Sequence, residues 1–267
     1  MSLSNSAGPV LWNIDERGVA TVVLNRPEVN NAYDGDLVRG LLRGLEALSG
    51  APGLRAVLLK GNGRHFQAGA DLNWISSIAK ASPKANVEAS RETAEAVHRL
   101  NLVPVPTVAL VQGGCFGGGT GIIAACDVVI AADNAVFSIS EVRWGLTAAI
   151  IIPQLNAAVS LRQLRRYALT GERFSAQEAR RIGLVHEVVP PSELETTGAA
   201  IIASCLENAP AAIAETKALA LELAGTPVDQ ALFDRLVAVH AAKRQSREAT
   251  EGLASFSGKR RASWSGR

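Results

Sequence analysis

Three stretches of this 267-residue chain combine residue types that could move a proton next to a polarised carbonyl. In FSISEVRWG, residues 137–145, an apolar run ends in a carboxylate. If the chain stays extended there, Phe137, Ile139 and Glu141 share one face, because side chains alternate along a strand. Partial desolvation on such a face lifts a glutamate above its reference pKa of about 4.3, toward the range where a proton-transferring group works. A second reading stays open: the strand has ended, and Glu141 faces water or pairs with Arg143.

The other two stretches offer backbone rather than side chains. HFQAGADL, residues 65–72, leaves its amides unobstructed before a predicted helix with Asp71 as N-cap. VQGGCFGGGTGIIAACDVVIA, residues 111–131, crowds Gly113, Gly114, Gly117, Gly118, Gly119 and Gly121 between a buried strand and a helix start. Unpaired amides at helix N-termini, with the positive end of the dipole, can hold an anion or a developing oxyanion. The plain alternative for each stretch is a tight strand-to-helix turn. Gly119, Gly121 and Ala124 also satisfy G-x-G-x-x-A, with Glu141 about twenty residues on, as a nicotinamide dinucleotide site would ask. Against that oxidoreductase reading, two short strands are predicted after the helix where the fingerprint expects one.

The elements that must position these stretches are α/β in pattern. VLWNI, the turn DERG and VATVVL read as a hairpin, and NRPEVNNAYDGD as a loop. Leu37, Leu41, Leu45 and Leu48 recur at near-helical spacing. LRAVLLKG, TVALV, DVVIAA, AVFSIS and GLVHEVV read as strands, with helices expected from near Leu72, over 87–102, and from the glycine cluster to Cys126. Ser175 with Glu178 and Ser192 with Glu195 have capping-box spacing. From about Pro210 the text is helical and charged, so residues 1–205 are expected as a core and 206–267 as a helical appendage.

Composition narrows the classes. Hydrophobic residues make up 48% of the chain, enough for a large core, and the net charge of +2 gives no footprint for nucleic acid. No apolar run approaches the roughly 18 residues of a membrane span. Cys115, Cys126 and Cys205 are odd in number, are not spaced as C-x-x-C and lack nearby histidines of metal-ligand spacing, so a reducing cytoplasm and no metal are expected. Lys243, Arg244, Arg247, Lys259, Arg260, Arg261 and Arg267 form a basic C-terminal region, in the bland reading a solvated tail.

Taken in order, HFQAGADL, VQGGCFGGGTGIIAACDVVIA, SEVRWG and YALTGERFSAQEARRIGLVHEVV resemble the crotonase family, the enoyl-CoA hydratase/isomerase group, over residue 10 to the C-terminus. The resemblance implies a spiral of ββα units whose C-terminal helices make homotrimers, often paired as dimers of trimers. It implies an acyl-CoA thioester as substrate, with coenzyme A part of that substrate and no separate cofactor. The thioester oxygen would lie between the amides of Ala70 and Gly118. Ala68 would offer its carbonyl to the adenine amine, and Arg26, Glu28, Asn30 and Ala32 would follow the CoA groove. Asp71, Leu72, Phe116, Gly121 and Ser140 are expected as further substrate contacts, and Phe256 and Lys259 as C-terminal CoA contacts.

The chain departs from that pattern in one place that bears on the reaction. Hydratases of the family carry two glutamates, and the position of the first is Gly121 here. One carboxylate suffices to shuttle a proton between C2 and C4 in a double-bond isomerisation, whereas hydration divides easily between two. The neighbourhood SEVRWG, Pro153 and RRYALTGERF nevertheless resembles the methylglutaconyl and isohexenylglutaconyl branch, whose members are hydratases without the first glutamate. Arg143 is then a candidate for a distal substrate carboxylate, or an ordinary surface arginine. Hydratase leads, isomerase follows, and an inactive acyl-CoA binder is a third reading. LTAAIIIP lacks a proline common near this point, which leaves the acyl pocket's shape open.

Overall fold

The predicted hairpin starts the fold. In the computed structural model, which describes residues 4–265, a short β1 (Ser4–Asn5) pairs antiparallel with β2 (Val10–Ile14), and β2 with β3 (Val19–Leu24). Helix α1 (Gly35–Ser49) follows, capped by Asp34, whose Oδ1 accepts from the amides of Asp36 and Leu37 at 3.0 and 2.9 Å. Its apolar stripe, Leu37, Leu41, Leu45 and Leu48, is at most 2% exposed, each leucine worth about 1.5–3 kcal/mol relative to exposure. Strand β4 (Ala56–Gly61) then pairs parallel with β3. Helix α2 (Leu72–Ala79) has the expected Asp71 cap, while α3 (Pro83–Asn101) begins earlier than its apolar periodicity suggested, because Ser82 caps it and Pro83 occupies the first turn.

From β5 (Thr107–Val111) the chain alternates between two sheets. β6 (Gly114–Phe116) enters a small sheet, α4 (Gly118–Ala124) follows, and β7 (Val128–Ala132) returns to the large one. β8 (Val136–Ser138) goes back to the small sheet beside β6. Helices α5 (Ile152–Ala158) and α6 (Leu161–Thr170), both absent from the sequence reading, precede β9 (Phe174–Ser175), α7 (Ala176–Ile182) and β10 (Glu187–Val189). The large sheet runs β1-β2-β3-β4-β5-β7-β10, parallel from β3 onward, and the small one β6-β8-β9. One strand in each sheet plus a helix is the ββα unit, and its repetition is the spiral. All five residues of β5 are buried, as a central parallel strand requires.

Of the two capping boxes, Ser175 accepts from the Glu178 amide at 3.2 Å, but Glu178 turns to Tyr167 and Arg181. Ser192 caps nothing: it lies inside a 3-10 turn, Pro191–Glu193, because the prolines on either side of the start set that geometry. Helix α8 (Leu194–Leu206) begins directly after it, and Glu195 pairs with Lys60 Nζ at 2.8 Å.

The chain divides into two compact units, one ending at Ile202 and one beginning at Ala203. The second contains α9 (Pro210–Glu222), α10 (Gln230–Arg244) and α11 (Arg247–Ser257). Glu248 organises it, accepting from the amides of Ala211 and Ala212 at 2.8 and 2.9 Å and pairing with Lys243 at 3.0 Å. Neither α9 nor α10 has a buried residue, and Phe233, Val237, Leu253 and Phe256 are all more than half exposed. Arg267 of the basic tail lies outside the described residues. No single helix among the described residues is long and apolar enough to cross a membrane.

Candidate active site

Two loops meet in register to build the floor of the site. Gln67 bridges Cys115 in parallel: its amide donates to Gly114 O at 3.1 Å, and Phe116 N donates to Gln67 O at 2.9 Å. Carried forward at the same offset, residue 70 comes opposite residue 118. A second parallel bridge joins Tyr33 to Ala70. Tyr33 N donates to Gly69 O at 2.9 Å and Asp71 N to Tyr33 O at 2.8 Å, so the intervening Ala70 amide is left without a partner among the described residues. Gly118 opens α4, where no preceding turn supplies a carbonyl, and its amide also has no partner among the described residues. Gly69 and Gly117 immediately before these amides have φ of +93° and +50°, a turn that glycine makes without strain.

The fully buried Gln67 side chain fixes one of these turns. Its Oε1 accepts from Gly69 N at 2.9 Å and its Nε2 donates to Gly69 O at 3.1 Å. Gly69, whose carbonyl belongs to the peptide that carries the Ala70 amide, is therefore held at both its N–H and its C=O. Asn31, also fully buried and at φ +57°, joins the neighbouring loop: its Nδ2 donates to the carbonyls of Asn62 and His65, each at 2.8 Å, and its Oδ1 accepts from Arg26 N. Sequence reasoning passed over both, since a buried amide is not distinguishable from a solvated one by type alone.

Glu141 reaches this floor by a different route from the one its pattern suggested. β8 stops at Ser138, and residues Glu141–Trp144 form a 3-10 turn, so the strand alternation with Phe137 and Ile139 does not carry it. Ser138 Oγ and Arg143 Nε both donate to Gly171 O, at 2.9 and 2.8 Å, which ties the segment down on either side of Glu141. A Cβ at Gly117 would lie 3.1 Å from Glu141 Oε1, so the missing side chain there makes room for the carboxylate. Its Oε2 is buried and has no hydrogen-bond partner among the described residues. Burial pushes the Glu141 pKa above its ordinary value, against a smaller opposing pull from the amides of Glu141 and Ser140.

These groups open on a cavity of about 460 Å³. Ala68, Ala70, Leu72, Gly118, Ser140 and Glu141 line it, together with Tyr33 from the loop NRPEVNNAYDGD. Leu37, Val38 and Leu41 of α1, Ile75 and Ile78 of α2 and Val97 of α3 make its walls apolar. Asn86, Ser90 and Thr93 are its neutral polar groups on α3, and no Lys, Arg or His among the described residues lines it.

Several expected contacts lie elsewhere. Arg143 is not part of the cavity wall and forms no ion pair with Glu141, because its Nε is committed to Gly171. The Phe116 ring folds back over Gly114 and sits under the Arg173 guanidinium, 5.4 Å from its centroid. Gly121 is covered: a Cβ there would lie 2.1 Å from Ile151 Cγ2, so Ile151 fills the space a glutamate would need. Asp71 caps α2 and lies 3.5 Å from Arg26, which is itself held by Asp34 at 3.0 Å and the Ala32 carbonyl at 2.6 Å. Asn30 O accepts from Ala68 N at 3.0 Å, and the Ala68 carbonyl has no donor among the described residues. Glu28 is exposed, as are Phe256 and Lys259 in the second unit.

The dinucleotide reading fails on geometry. β6 has three residues and α4 seven, and Gly119 and Gly121 are packed under Gln67 and Ile151 instead of facing open space for a pyrophosphate.

Known proteins resemble this chain over most of its length. The family model described as enoyl-CoA hydratase/isomerase matches residues 15–267. The chain is 36% identical to the hydroxycinnamoyl-CoA hydratase-lyase of Pseudomonas fluorescens, over 76% of this chain and 74% of that protein. It is 31% identical to the peroxisomal Delta(3,5)-Delta(2,4)-dienoyl-CoA isomerase of Arabidopsis thaliana, over 81% and 82%. The crystal structure of an enoyl-CoA hydratase from Shewanella pealeana superposes with a TM-score of 0.93 at 36% identity, covering 97% of both chains. Free amides and a desolvated carboxylate around one cavity, on a ββα spiral matched over nearly its whole length, place this chain in the enoyl-CoA hydratase/isomerase family.

Proposed function

We propose that the protein adds water across the C2–C3 double bond of an enoyl-CoA thioester with an uncharged, apolar acyl chain. The observation that carries this reading is the Glu141 carboxylate, one oxygen buried and unpartnered, beside two amides free to receive a thioester oxygen. The Ala70 and Gly118 amides would stabilise the enolate, each donor of this kind contributing about 2.7–4 kcal/mol. Glu141 would take a proton from water as its oxygen bonds to C3, and the double-bond electrons would move to the thioester oxygen. The same carboxyl would return a proton to C2, so that one water is added overall. Ala68 O, with no donor of its own, suits the adenine amine, and the loop carrying Arg26, Glu28, Asn30 and Ala32 suits the rest of the nucleotide.

A methylglutaconyl-like chain is less well served, since a distal carboxylate would enter a cavity whose wall has no cation among the described residues. The second reading, a C2–C4 proton shuttle, is favoured by one observation: Ile151 occupies the place of a second carboxylate. Turnover in heavy-oxygen water separates the two. Label at C3 of the product supports hydration, and a shifted double bond without label overturns it. The exposed apolar residues of α10 and α11 are further read as the contact between copies in a trimer or a pair of trimers, an assignment that a light-scattering mass of one chain would refute.

A further inference from the structure

We infer that Tyr33 is a second catalytic residue of water addition, its phenol O–H donating a hydrogen bond to the oxygen of the attacking water while Glu141 deprotonates that water. The inference rests on the hydratase reading. It starts from a deficit: one carboxylate must both activate water and return a proton, and the space for another acid at residue 121 is filled by Ile151.

Tyr33 is built into the same floor as the two amides. Its backbone brackets Ala70, donating to Gly69 O and accepting from Asp71 N. Its ring lies on Gly118, with Cε1 and Oη 2.7 and 3.3 Å from where a Cβ of that residue would stand. Trp74 packs edge-on against the ring, centroids 5.7 Å apart, which limits its rotation. The hydroxyl thus has a fixed place beside Gly118, yet it makes no hydrogen bond to any described residue. A tyrosine that lines a cavity and offers an uncommitted hydroxyl is poised for a water or a ligand. Burial, and then the nearby Glu141 charge, push its pKa up to about 12, so it remains a neutral donor through the working range. In the step itself Tyr33 keeps its proton. The water loses one proton to Glu141, its oxygen bonds to C3, and Glu141 delivers a proton to C2.

Ser140 is the rival for this role, since its Oγ lies 3.7 Å from the Cβ position of Gly117. The test therefore pairs Tyr33→Phe with Ser140→Ala and follows two reactions of the full-length protein. One is hydration of an enoyl-CoA. The other is exchange of the C2 protons of a saturated acyl-CoA in deuterated water, which needs the amides and Glu141 but no water at C3. Tyr33→Phe should lower kcat for hydration about 10²-fold, the loss expected for one preorganised donor, with KM and exchange changed by less than about threefold. Hydration surviving in Tyr33→Phe, or failing instead in Ser140→Ala, overturns the inference. Equal loss of hydration and exchange also overturns it, making Tyr33 a third donor to the thioester oxygen. A wild type that exchanges protons but hydrates nothing defeats the hydratase reading itself, and the Tyr33 role with it.

Discussion

The wall of the cavity that carries Ala70, Gly118 and Glu141 is fixed by backbone bridges, by the buried Gln67 clamp and by the double tie of residues 138 and 143 to Gly171. The facing wall is α2, which buries none of its eight residues, and the first half of α3, which is equally exposed. Chemistry needs groups held within fractions of an ångström, and the first wall provides many mutually dependent hydrogen bonds. Accommodating different acyl chains needs only apolar surface that can shift, which an eight-residue helix with Leu72 55% exposed supplies. Reaction type and chain preference therefore belong to different walls and should respond to different mutations.

The largest effect expected is for Glu141→Gln. It keeps shape but exchanges no proton, so turnover should fall by about 10²–10⁴-fold with thioester affinity nearly unchanged. A loss below about tenfold, measured by steady-state kinetics on a variant shown to be folded, would move the chemistry off the rigid wall.

Gly118→Pro deletes one of the two free amides at a helix N1 position, where the missing N–H costs no helix bond, and its Cβ also presses on Tyr33 Cε1, 2.7 Å away, so the loss is an upper bound on the amide's share. A loss of about 10²–10³-fold in kcat is expected. Full activity in a variant with wild-type circular dichroism would remove Gly118 from the oxyanion site.

Ile78→Ala tests the loose wall. It should alter relative kcat/KM among acyl chain lengths by about tenfold or less and leave the exchange rate of a short acyl-CoA unchanged. If it slowed exchange on short substrates as much as on long ones, the division between the walls would be wrong.

The smallest effect concerns stability. A carboxyl whose folded-state pKa is raised above the unfolded value, ordinarily 4.5, holds its proton more tightly when folded. Stability contributed by that group is full at low pH and is lost as pH rises through the raised folded pKa. Glu141→Gln should therefore melt slightly higher than wild type above that pKa, and the difference should vanish near pH 4. A variant less stable at pH 8 than the wild type by the same margin as at pH 4 would show that Glu141 is not strained by burial.

Regular elements were legible where one rule dominated. The leucine stripe of α1, the Asp71 cap and the uniformly apolar β5 each announce themselves through local periodicity or capping chemistry. β6, with three residues and two of them Gly114 and Cys115, carries no such signal and exists because Val136–Ser138 pairs with it. Helices α5 and α6 were overlooked because α5 starts inside the apolar run IIIP, which reads equally as strand or helix.

Residue types alone determined that a glycine-rich helix start, a second bare-backbone loop and one glutamate were available, since those are properties of single residues and their immediate neighbours. Tertiary structure decided which of them meet. The bridges Gln67–Cys115 and Tyr33–Ala70 join residues 48 and 37 positions apart, differences read directly from their numbers, and no local pattern encodes such pairings. The same long-range packing turned Arg143 toward Gly171, sealed Gly121 with Ile151 and left the Tyr33 hydroxyl open to the cavity. A side chain's partners depend on what the rest of the chain brings to it, so their roles became visible only in the folded molecule.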